Sequence, residues 1–543
     1  MKRHIGCLAL MAVLCLSVMI ISCGGGSSGD DDTGSNPPID DDAGIDDDTA
    51  DDDTVLDDDT SDDDSAADDD SGADDDSAAD DDSAIDDDSA ADDDSAIDDD
   101  SGDDDSGALY WEPHTVTPIE VYPEIRGLTV LRGIIHLHSI YSHDACDNNP
   151  FPGGEPNLTC LNQLRKAMCT NNEQYIMLTD HAEPFSNYEF PDVLLYLPDD
   201  GDELIYEDSD PVANIIHCDD GNYVILSAGN ENDLMPIHLK RMPDGTPDER
   251  AALLGGSDVA TVNTMHDLGA EVFVNHAEGW ETEQILALPV DGIEVYNLHA
   301  NIDPDCRQNM GLPPYSFILD VLRYLFLSQR DAELILLSFL AENPKDLSHW
   351  DKLLASRTTV GVLATDAHRN ALPFPLSDGD RADSYRRMMH WFANYILVAN
   401  RELTDIEDAL QKGRAYGAFQ VFGEPVGFDF YAETSKGAAE MGDQAALSTN
   451  PVLHVSVPQM YNMDPSLPEP EYHLRIVKAG ADGGTVVAQT TDASIIFDVE
   501  DAGVYRAEVR IVPHHLAKWL GDDADYFIRE YPLIYANPIY ITE

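Results

Sequence analysis

Arg132-Gly133-Ile134-Ile135-His136-Leu137-His138-Ser139 is an apolar run that predicts a buried strand with two histidines at its carboxyl end. Side chains at positions i and i+2 of a strand point to the same face, so His136 and His138 can bind one ion together. An isolated pair of this kind is a weak signal, because most such histidines are incidental core or surface residues. Whether the pair is functional therefore depends on the residues at the ends of the other predicted strands.

The chain beyond this run alternates between apolar strands and helices. The predicted strands are Arg132 to Leu137, Tyr175 to Thr179, Tyr223 to Ala228, Glu271 to Asn275, Gly292 to Tyr296, Thr359 to Ala364 and Tyr395 to Ala399. The predicted helices are Leu158 to Cys169, Val259 to Leu268, Ser316 to Leu327 and Asp405 to Lys412. This alternation is typical of βα units, and seven strands predict an α/β fold with a closed or nearly closed parallel barrel.

Most of these strands end in a histidine or a carboxylate. The motifs are Thr179-Asp180-His181, Gly229-Asn230-Glu231 with the later His238, Asn275-His276, and Asp366-Ala367-His368. Each motif alone could be structural. Because barrel enzymes gather their active sites at the carboxyl ends of the strands, the recurrence predicts one shared site.

In this order the motifs resemble those of the PHP (polymerase and histidinol phosphatase) superfamily, in particular the branch related to the carbaryl hydrolases. The resemblance covers roughly residues 127–423 and implies a distorted (βα)7 barrel with two or three divalent ions. It implies that the strand Gly292 to Asn297 contributes structure rather than a ligand. The ligands that it implies are His136, His138, Asp144, His181, Glu231, His238, His276, Asp366 and His368. His143 is an alternative to Asp144, and Glu231, with two oxygens, is suited to bridge two ions.

Mixed imidazole and carboxylate ligands favour zinc, manganese or iron over magnesium or calcium. Clustered ions lower the pKa of a bridging water and give a hydroxide nucleophile near neutral pH. The sequence offers no GxSxG elbow and no Cys/His arrangement to rival this set. With the resemblance, this predicts a phosphoesterase that acts on a small anionic ester. Hydrolysis of a carboxylic or carbamic ester or amide at the same site is the alternative, and a non-catalytic surface binding lipoprotein is a second.

Three further residues are candidates for catalysis. Asp180 and His143 could orient a ligand or carry a proton. Asp180 could instead only cap the segment that follows it. Arg369, directly after His368, and Lys240 are the candidate cations for an anionic substrate. Either cation could equally be a surface residue paired with one of the many acids.

Residues 424–543 have a different pattern. They contain strand-like runs broken by Gly, Asp and Pro, with no convincing helix, and predict a small C-terminal β-sandwich domain. The runs are Val452 to Val457, Tyr472 to Val477, Ser494 to Val499, Val504 to Ile511 and Tyr535 to Ile541. Gly503 to Val509 and Asn537 to Tyr540 resemble the sandwich tail of the same PHP branch.

The amino terminus predicts an exported lipoprotein. Lys2 and Arg3 precede an apolar run, so residues 1–22 are typical of a signal peptide. Ser22-Cys23 followed by glycines resembles a bacterial lipobox, with Cys23 as the lipidated residue. A plain signal peptide or a membrane anchor is the alternative. The prediction is a protein of the cell envelope, anchored to a bacterial membrane through lipid and facing the periplasm or the exterior.

Residues 23–107 repeat Asp, Ser and Ala and predict a disordered linker, because they contain too few large apolar side chains to form a core. Weak calcium binding is the alternative, although the Gly and Glu of an EF-hand loop are missing. Residues 108–126 lead into the barrel. The net charge of −78, with no Lys or Arg between Asp30 and Asp105, excludes duplex nucleic acid as the expected partner, because no basic stripe is present.

Five cysteines follow Cys23, and none forms a CxxC pair, so a zinc knuckle is not expected. They are Cys146, Cys160, Cys169, Cys218 and Cys306. In an oxidising compartment they predict one or two disulfides and one remaining thiol. Cys160 and Cys169, if they share one helix, are ~13 Å apart at ~1.5 Å per residue and should not pair with each other.

Overall fold

The computed structural model of the chain describes residues 110–327 and 330–543. The predicted signal peptide 1–22, the lipidation site Cys23 and the linker 23–107 lie outside the described residues, as do the first two positions of the lead-in segment. Within the described part, no helix has both the length and the apolar character needed to cross a bilayer.

The described chain is mixed α/β, with more strand than helix. Its strands, numbered in chain order, are β1 Thr129–Leu137, β2 Tyr175–His181, β3 Glu203–Glu207, β4 Asp210–His217, β5 Tyr223–Glu231, β6 Leu234–Ile237, β7 Glu271–Val274, β8 Gly292–Asn297, β9 Val360–Ala367, β10 Ala393–Val398, β11 Ala415–Ala418, β12 Pro425–Val426, β13 Asp429–Thr434, β14 Gly437–Glu440, β15 Gln444–Ala446, β16 Val452–Ser456, β17 Gln459–Met460, β18 Glu471–Lys478, β19 Thr485–Thr490, β20 Ser494–Asp498, β21 Gly503–Val512 and β22 Tyr531–Thr542.

α-Helices of six or more residues lie between these strands. They are α1 Leu158–Thr170, α2 Pro247–Leu254, α3 Val259–Asp267, α4 Thr282–Ala287, α5 Pro304–Asn309, α6 Ser316–Leu327, α7 Pro344–Leu354, α8 Tyr385–Trp391 and α9 Leu403–Lys412. Helix α1 shows why the segments fold as they do. Asn157 caps it by accepting the backbone N–H of Cys160, and Leu161, Leu164 and Met168 place their side chains on its buried face.

The parallel strands pair in one continuous path. β1, β2 and β5 are parallel neighbours, β7, β8 and β9 are parallel neighbours, and β9 returns to β1 through the pair Ile135 and Ala364. β6 runs antiparallel to β7, and the N–H of Leu239, just after β6, donates to the carbonyl of Ala228 on β5 at 2.9 Å. A Cβ on Gly229 would lie 2.2 Å from the carbonyl oxygen of Pro236, so only glycine lets β6 approach β5 this closely.

One of the seven predicted strands has a different place. Tyr395 to Ala399 corresponds to β10, which pairs antiparallel with β1 along Thr129–Gly133 instead of joining the parallel set. The apolar pattern of a strand predicts its burial but not its direction. β1 is long enough to pair with β10 along its amino half and with β9 along its carboxyl half.

The strands predicted after residue 423 are present, and the sheet is continuous across that position. β10 pairs with β11, β11 with β22, and the sheet continues through β21, β18 and β19, while β13, β14, β16 and β20 form a separate four-stranded sheet. The expectation of no helix was wrong for two short turns, Ala517–Leu520 and Ala524–Phe527, which lie between β21 and β22. The domain boundaries at 127, 423 and 424 remain predictions.

A buried charge network lies at the amino end of β1. Arg132 donates to Glu424 at 3.1 Å, and Glu173 is fully buried with its Oε2 4.0 Å from Arg132 Nε. Burial raises the pKa of Glu173 to about 8, although the Arg132 charge lowers it. The carboxyl is therefore protonated in the folded chain at pH values where it would be ionised in the unfolded chain.

The Glu173→Gln variant tests this protonation. The folded pKa is raised, so the folded chain binds one more proton than the unfolded chain between pH ~4.5 and pH ~8. The stability that Glu173 contributes is fully present below pH ~4.5 and is lost as the pH rises through about 8. We expect the free energy of unfolding of the variant to rise relative to that of the wild type between pH 5 and 8, by ~1.4 kcal/mol per pH unit at most. Guanidinium unfolding at three pH values measures this, and parallel pH profiles would contradict it.

The disulfide prediction is confirmed. Cys146 pairs with Cys160, Cys169 pairs with Cys218, and Cys306 is the free thiol among the described residues. Cys160 and Cys169, both on α1, pair with different partners, as their separation requires.

Removal of each disulfide should destabilise the fold, and the cost should rise slowly with the length of the loop that the disulfide closes. The sequence separations are 14 residues for Cys146–Cys160 and 49 for Cys169–Cys218. Loop-closure entropy gives about 3 kcal/mol for the first and about 4 kcal/mol for the second. We expect guanidinium titrations to show a smaller loss in the free energy of unfolding when Cys146 and Cys160 are both replaced by serine than when Cys169 and Cys218 are. Unfolding midpoints equal to that of the wild type would refute the expectation.

Candidate metal centre

Five strand ends bring imidazoles and carboxylates together in the described chain. Each predicted motif except the Glu231-to-His238 pair contributes all of its ligating residues to this cluster. The residues that meet are His136 from β1 and His138 directly after it, His181 from β2, Glu231 from β5, His276 two residues after β7, Asp366 from β9 and His368 directly after it.

The first group is formed by His136, His138, Glu231 and Asp366, all buried. His136 Nε2 and His138 Nε2 are 3.1 Å apart, and each lies 3.3–3.4 Å from Glu231 Oε2 and from Asp366 Oδ1. A tetrahedron with edges of this length has its corners roughly 2 Å from its centre, which is the length of zinc–nitrogen and zinc–oxygen bonds. Asp366 Oδ1 is buried and has no hydrogen-bond partner in the described part of the chain. These four atoms fit a cation between them.

A second group faces the solvent side of the first. His368 Nε2 lies 3.4 Å from His181 Nε2 and 3.3 Å from Asp144 Oδ2, and Asp144 Oδ1 lies 3.6 Å from His181 Nε2. The ring of His138 stacks on that of His368 with centroids 3.6 Å apart, which joins the two groups. The structure thus places Asp144, and not His143, with the imidazoles.

A third group uses the other oxygens of the two shared carboxylates. His276 Nε2 lies 3.3 Å from Glu231 Oε1 and 3.1 Å from Asp366 Oδ2, and His299 Nδ1 lies 3.3 Å from the same Asp366 oxygen. Glu231 and Asp366 therefore each present one oxygen to the first group and one to the third. This is the arrangement expected of bridging carboxylates.

Burial and neighbouring charge set the ionisation of these ligands. Burial and the nearby charge of His368 together lower the pKa of His138 to about 4, so its imidazole is neutral near pH 7. Burial alone would raise the pKa of Glu231 and of Asp366, but the surrounding histidines, above all His136, hold both well below the usual range. Burial lowers the pKa of His136, His181 and His276, but neighbouring carboxylates raise it above the usual value, so these imidazoles must lose a proton when they bind a metal ion.

Three ligands have a backbone conformation that L residues rarely adopt. The φ angles are +65° for His136, +44° for His276 and +49° for Asp366. The left-handed region costs about 1–2 kcal/mol for a residue that is not glycine, so the surrounding packing must hold these residues in place.

Glu294 on β8 orients two of the ligands without joining the cluster. Its Oε1 lies 2.5 Å from His136 Nδ1, and its Oε2 accepts the backbone N–H of His276 at 3.0 Å and the side chain of Asn297 at 3.0 Å. A carboxylate on Nδ1 fixes the imidazole so that Nε2 faces the ion. The prediction that β8 supplies structure rather than a ligand stays a prediction.

His238 is not brought to the cluster. β6 runs antiparallel to β7, so the chain returns to the amino ends of the strands, where His238 Nδ1 lies 2.8 Å from Glu271 Oε2. Sequence reasoning missed His299 instead, which follows β8 in the short turn His299–Asn301. The same rule of strand ends that identified the other ligands could have found it, two residues after Asn297.

The predicted catalytic residues lie around the cluster. Asp180 is buried and accepts the backbone N–H and the hydroxyl of Ser139 at 2.6 and 2.7 Å, and burial raises its pKa to about 6. It therefore holds the end of β1 rather than capping the segment after β2. His143 is exposed, with its ring 5.1 Å from that of His181 and its Nδ1 3.2 Å from the carbonyl oxygen of Glu183.

Neither candidate cation faces the ligands. Arg369 donates to Asp147 at 3.1 Å, and Lys240 pairs with Glu207 at 2.7 Å and with Glu407. These acidic partners are distant in the sequence, so they cannot be predicted from the residues next to His238 and His368. Both cations therefore fit the alternative given above, a surface residue paired with an acid.

Comparison with known proteins adds little. A scan against protein-family models finds no matching family, and a search of curated proteins finds no match. Among solved structures, the chain is similar to a two-domain protein containing a predicted PHP-like metal-dependent phosphoesterase from Bacteroides vulgatus. The identity is 13%, the TM-score is 0.26, and the match covers 76% of this chain and 97% of that chain. A TM-score this low carries no argument, so the site stands on its own geometry.

Proposed function

We propose that this chain is a metal-dependent hydrolase of the PHP type that cleaves phosphoric esters. The observation that supports it is the convergence of six imidazoles and three carboxylates on adjoining groups at one end of the parallel strands. The residues that would hold two or three divalent ions are His136, His138, Asp144, His181, Glu231, His276, His299, Asp366 and His368. The proposal includes a distorted barrel, formed by the path from β6 through β9 and β1 to β5.

The charge of the site favours an anionic reacting group. Asp144, Glu231 and Asp366 supply three negative charges, and two or three divalent ions would more than neutralise them. Bound ions of this kind activate water and take up charge that develops on a phosphoryl or acyl oxygen. The site needs no lysine or arginine for that purpose, which agrees with the ion-paired states of Arg369 and Lys240.

Side chains next to the proposed ligands hold them in position through hydrogen bonds. Asn275 donates to Glu231 Oε1 at 2.6 Å and to the carbonyl of Asn232, which fixes the carboxylate between its two groups. Asp180 and Glu294 fix the end of β1 from two sides. His143, exposed beside His181, is our candidate for protonating the leaving alcohol.

The test is a substrate panel with defined metals. Full-length protein is stripped with a chelator and reloaded with zinc, manganese or iron. It is then assayed on p-nitrophenyl phosphate, bis-p-nitrophenyl phosphate, an aryl ester and an aryl carbamate. We expect metal-dependent turnover of at least one phosphoester. Turnover of the ester or carbamate alone would identify a carboxylic or carbamic hydrolase. No turnover together with less than one metal per chain would favour a binding lipoprotein.

We also propose that the enzyme is exported and lipid-anchored at Cys23. Two disulfides support export, because such bonds persist in oxidising compartments. In a bacterial host, a Cys23→Ala variant should move from the membrane fraction to the soluble fraction. Equal fractionation of the variant and the wild type would contradict the anchor.

A further inference from the structure

A cavity of about 570 Å³ lies near the second ligand group, with none of the proposed ligands among its lining residues. His143 forms part of its wall, and the His143 ring is 5.1 Å from that of the ligand His181. The volume is within the ~300–1,000 Å³ usual for small-molecule sites. A substrate whose phosphoryl group lies on the metal ligands would place its alcohol part here.

The wall of this cavity is rich in amides and has no lysine or arginine. Asn148, Asn149 and Asn187 line it, and their side-chain amides make no hydrogen bond within the described part of the chain. Two acids, Glu183 and Asp248, are also among the lining residues. Neutral donors and acceptors beside two acids suit hydroxyl groups and disfavour further negative charge.

An aromatic face completes the cavity. Phe151 lines it, and its ring stacks on Tyr188 with centroids 5.7 Å apart and planes 7° apart. Tyr141 packs on Tyr188 from another direction at 4.6 Å. A fixed aromatic ring among amides offers an apolar surface to the C–H groups of a sugar while the amides bind its hydroxyls.

The loop that carries this wall is held rigid. Cys146, Asp147 and Asn148 have consecutive positive φ angles of 58°, 62° and 57°, a strained sequence of backbone conformations. The Cys146–Cys160 disulfide and two 2.8 Å hydrogen bonds from Arg381 to Asp147 hold it in place. Rigid loops that store strain beside a cluster of ligands are typical of functional sites.

From these contacts we propose that the substrate is a phosphate ester of a neutral polyol of about hexose size, bound through its hydroxyls by Asn148, Asn149 and Asn187 and through a ring face by Phe151. The proposal rests on the phosphoesterase function above. It places nucleotides, sugar bisphosphates and phosphocholine among the poor substrates, because the cavity wall has no lysine or arginine for extra phosphate, carries two carboxylates and presents only one phenyl ring.

The test compares kcat/KM for glucose 6-phosphate, methyl phosphate, fructose 1,6-bisphosphate, ADP and phosphocholine on the metal-loaded full-length enzyme. We expect glucose 6-phosphate to exceed each of the others at least tenfold. Phe151→Ala and Asn187→Ala should lower the ratio of glucose 6-phosphate to methyl phosphate at least fivefold. Asn400→Ala, an exposed asparagine after β10, is the matched control and should leave the ratio unchanged.

A binding measurement without turnover accompanies the kinetics. Saturation-transfer NMR of D-glucose with metal-free protein should show ring C–H signals that weaken in Phe151→Ala. If p-nitrophenyl phosphate is hydrolysed but ADP or phosphocholine is preferred, or the variants leave the ratio unchanged, the polyol proposal alone is overturned. If no phosphoester is hydrolysed under any metal, the proposed function fails and this proposal fails with it.

Discussion

A Glu231→Gln variant is expected to lose at least a thousandfold in kcat/KM on p-nitrophenyl phosphate, which corresponds to about 4 kcal/mol of transition-state stabilisation. Glu231 Oε2 lies 3.4 Å from both His136 Nε2 and His138 Nε2, and Oε1 lies 3.3 Å from His276 Nε2. The amide keeps the shape of the side chain but removes its charge and one of its two ligating oxygens. Two ligand groups should weaken together.

Metal content measured by mass spectrometry should fall in the same variant by at least one ion per chain. Glu469→Gln is the matched control, because Glu469 is exposed on a loop before β18. It should keep both the activity and the metal. Retention of full metal content and of activity within tenfold in Glu231→Gln would show that Glu231 does not bridge ions.

The second large effect separates His299 from His238. His299 Nδ1 lies 3.3 Å from Asp366 Oδ2, whereas His238 Nδ1 lies 2.8 Å from Glu271 at the other end of the strands. We expect His299→Ala to lower kcat/KM at least a hundredfold and to reduce the metal bound per chain. His238→Ala should keep its metal and stay within fivefold of the wild-type kcat/KM, while its melting temperature falls because a buried side chain is lost.

This pair of variants is its own control, since both remove one imidazole from the described chain. Metal analysis and calorimetry on the same preparations distinguish a lost ligand from a loosened fold. If His238→Ala loses metal and His299→Ala does not, the sequence-based assignment of His238 as a ligand is correct and the geometric assignment of His299 is wrong.

Local pattern predicted twelve of the strands and, apart from His299, the strand-end residues that meet in the cluster, whereas strands such as β3, β4, β6 and β11 were not predicted. His136 and His138 are two apart on a strand, and Asp366 and His368 repeat that spacing at the end of β9, so both pairs show in the sequence. Because the carboxyl ends of parallel strands lie at the same edge of a sheet, the fold brings such pairs together.

What sequence could not supply depends on chain direction and on distant partners. The two residues after β5 turn the chain back into β6, which carries His238 away from the ligands. β10 runs antiparallel to the amino half of β1, and the residues of β10 alone do not reveal this direction. Arg369 follows His368 directly and is therefore a predicted substrate-binding cation, but it pairs with Asp147, which lies more than two hundred positions away in the chain.

The most direct test of the central claim is a crystal structure of the reconstituted full-length protein, with anomalous diffraction recorded at the absorption edges of zinc, manganese and iron. The account predicts two or three anomalous peaks, one of them enclosed by His136, His138, Glu231 and Asp366. Crystals of fully reconstituted protein with no peak within bonding distance of those four residues would contradict it.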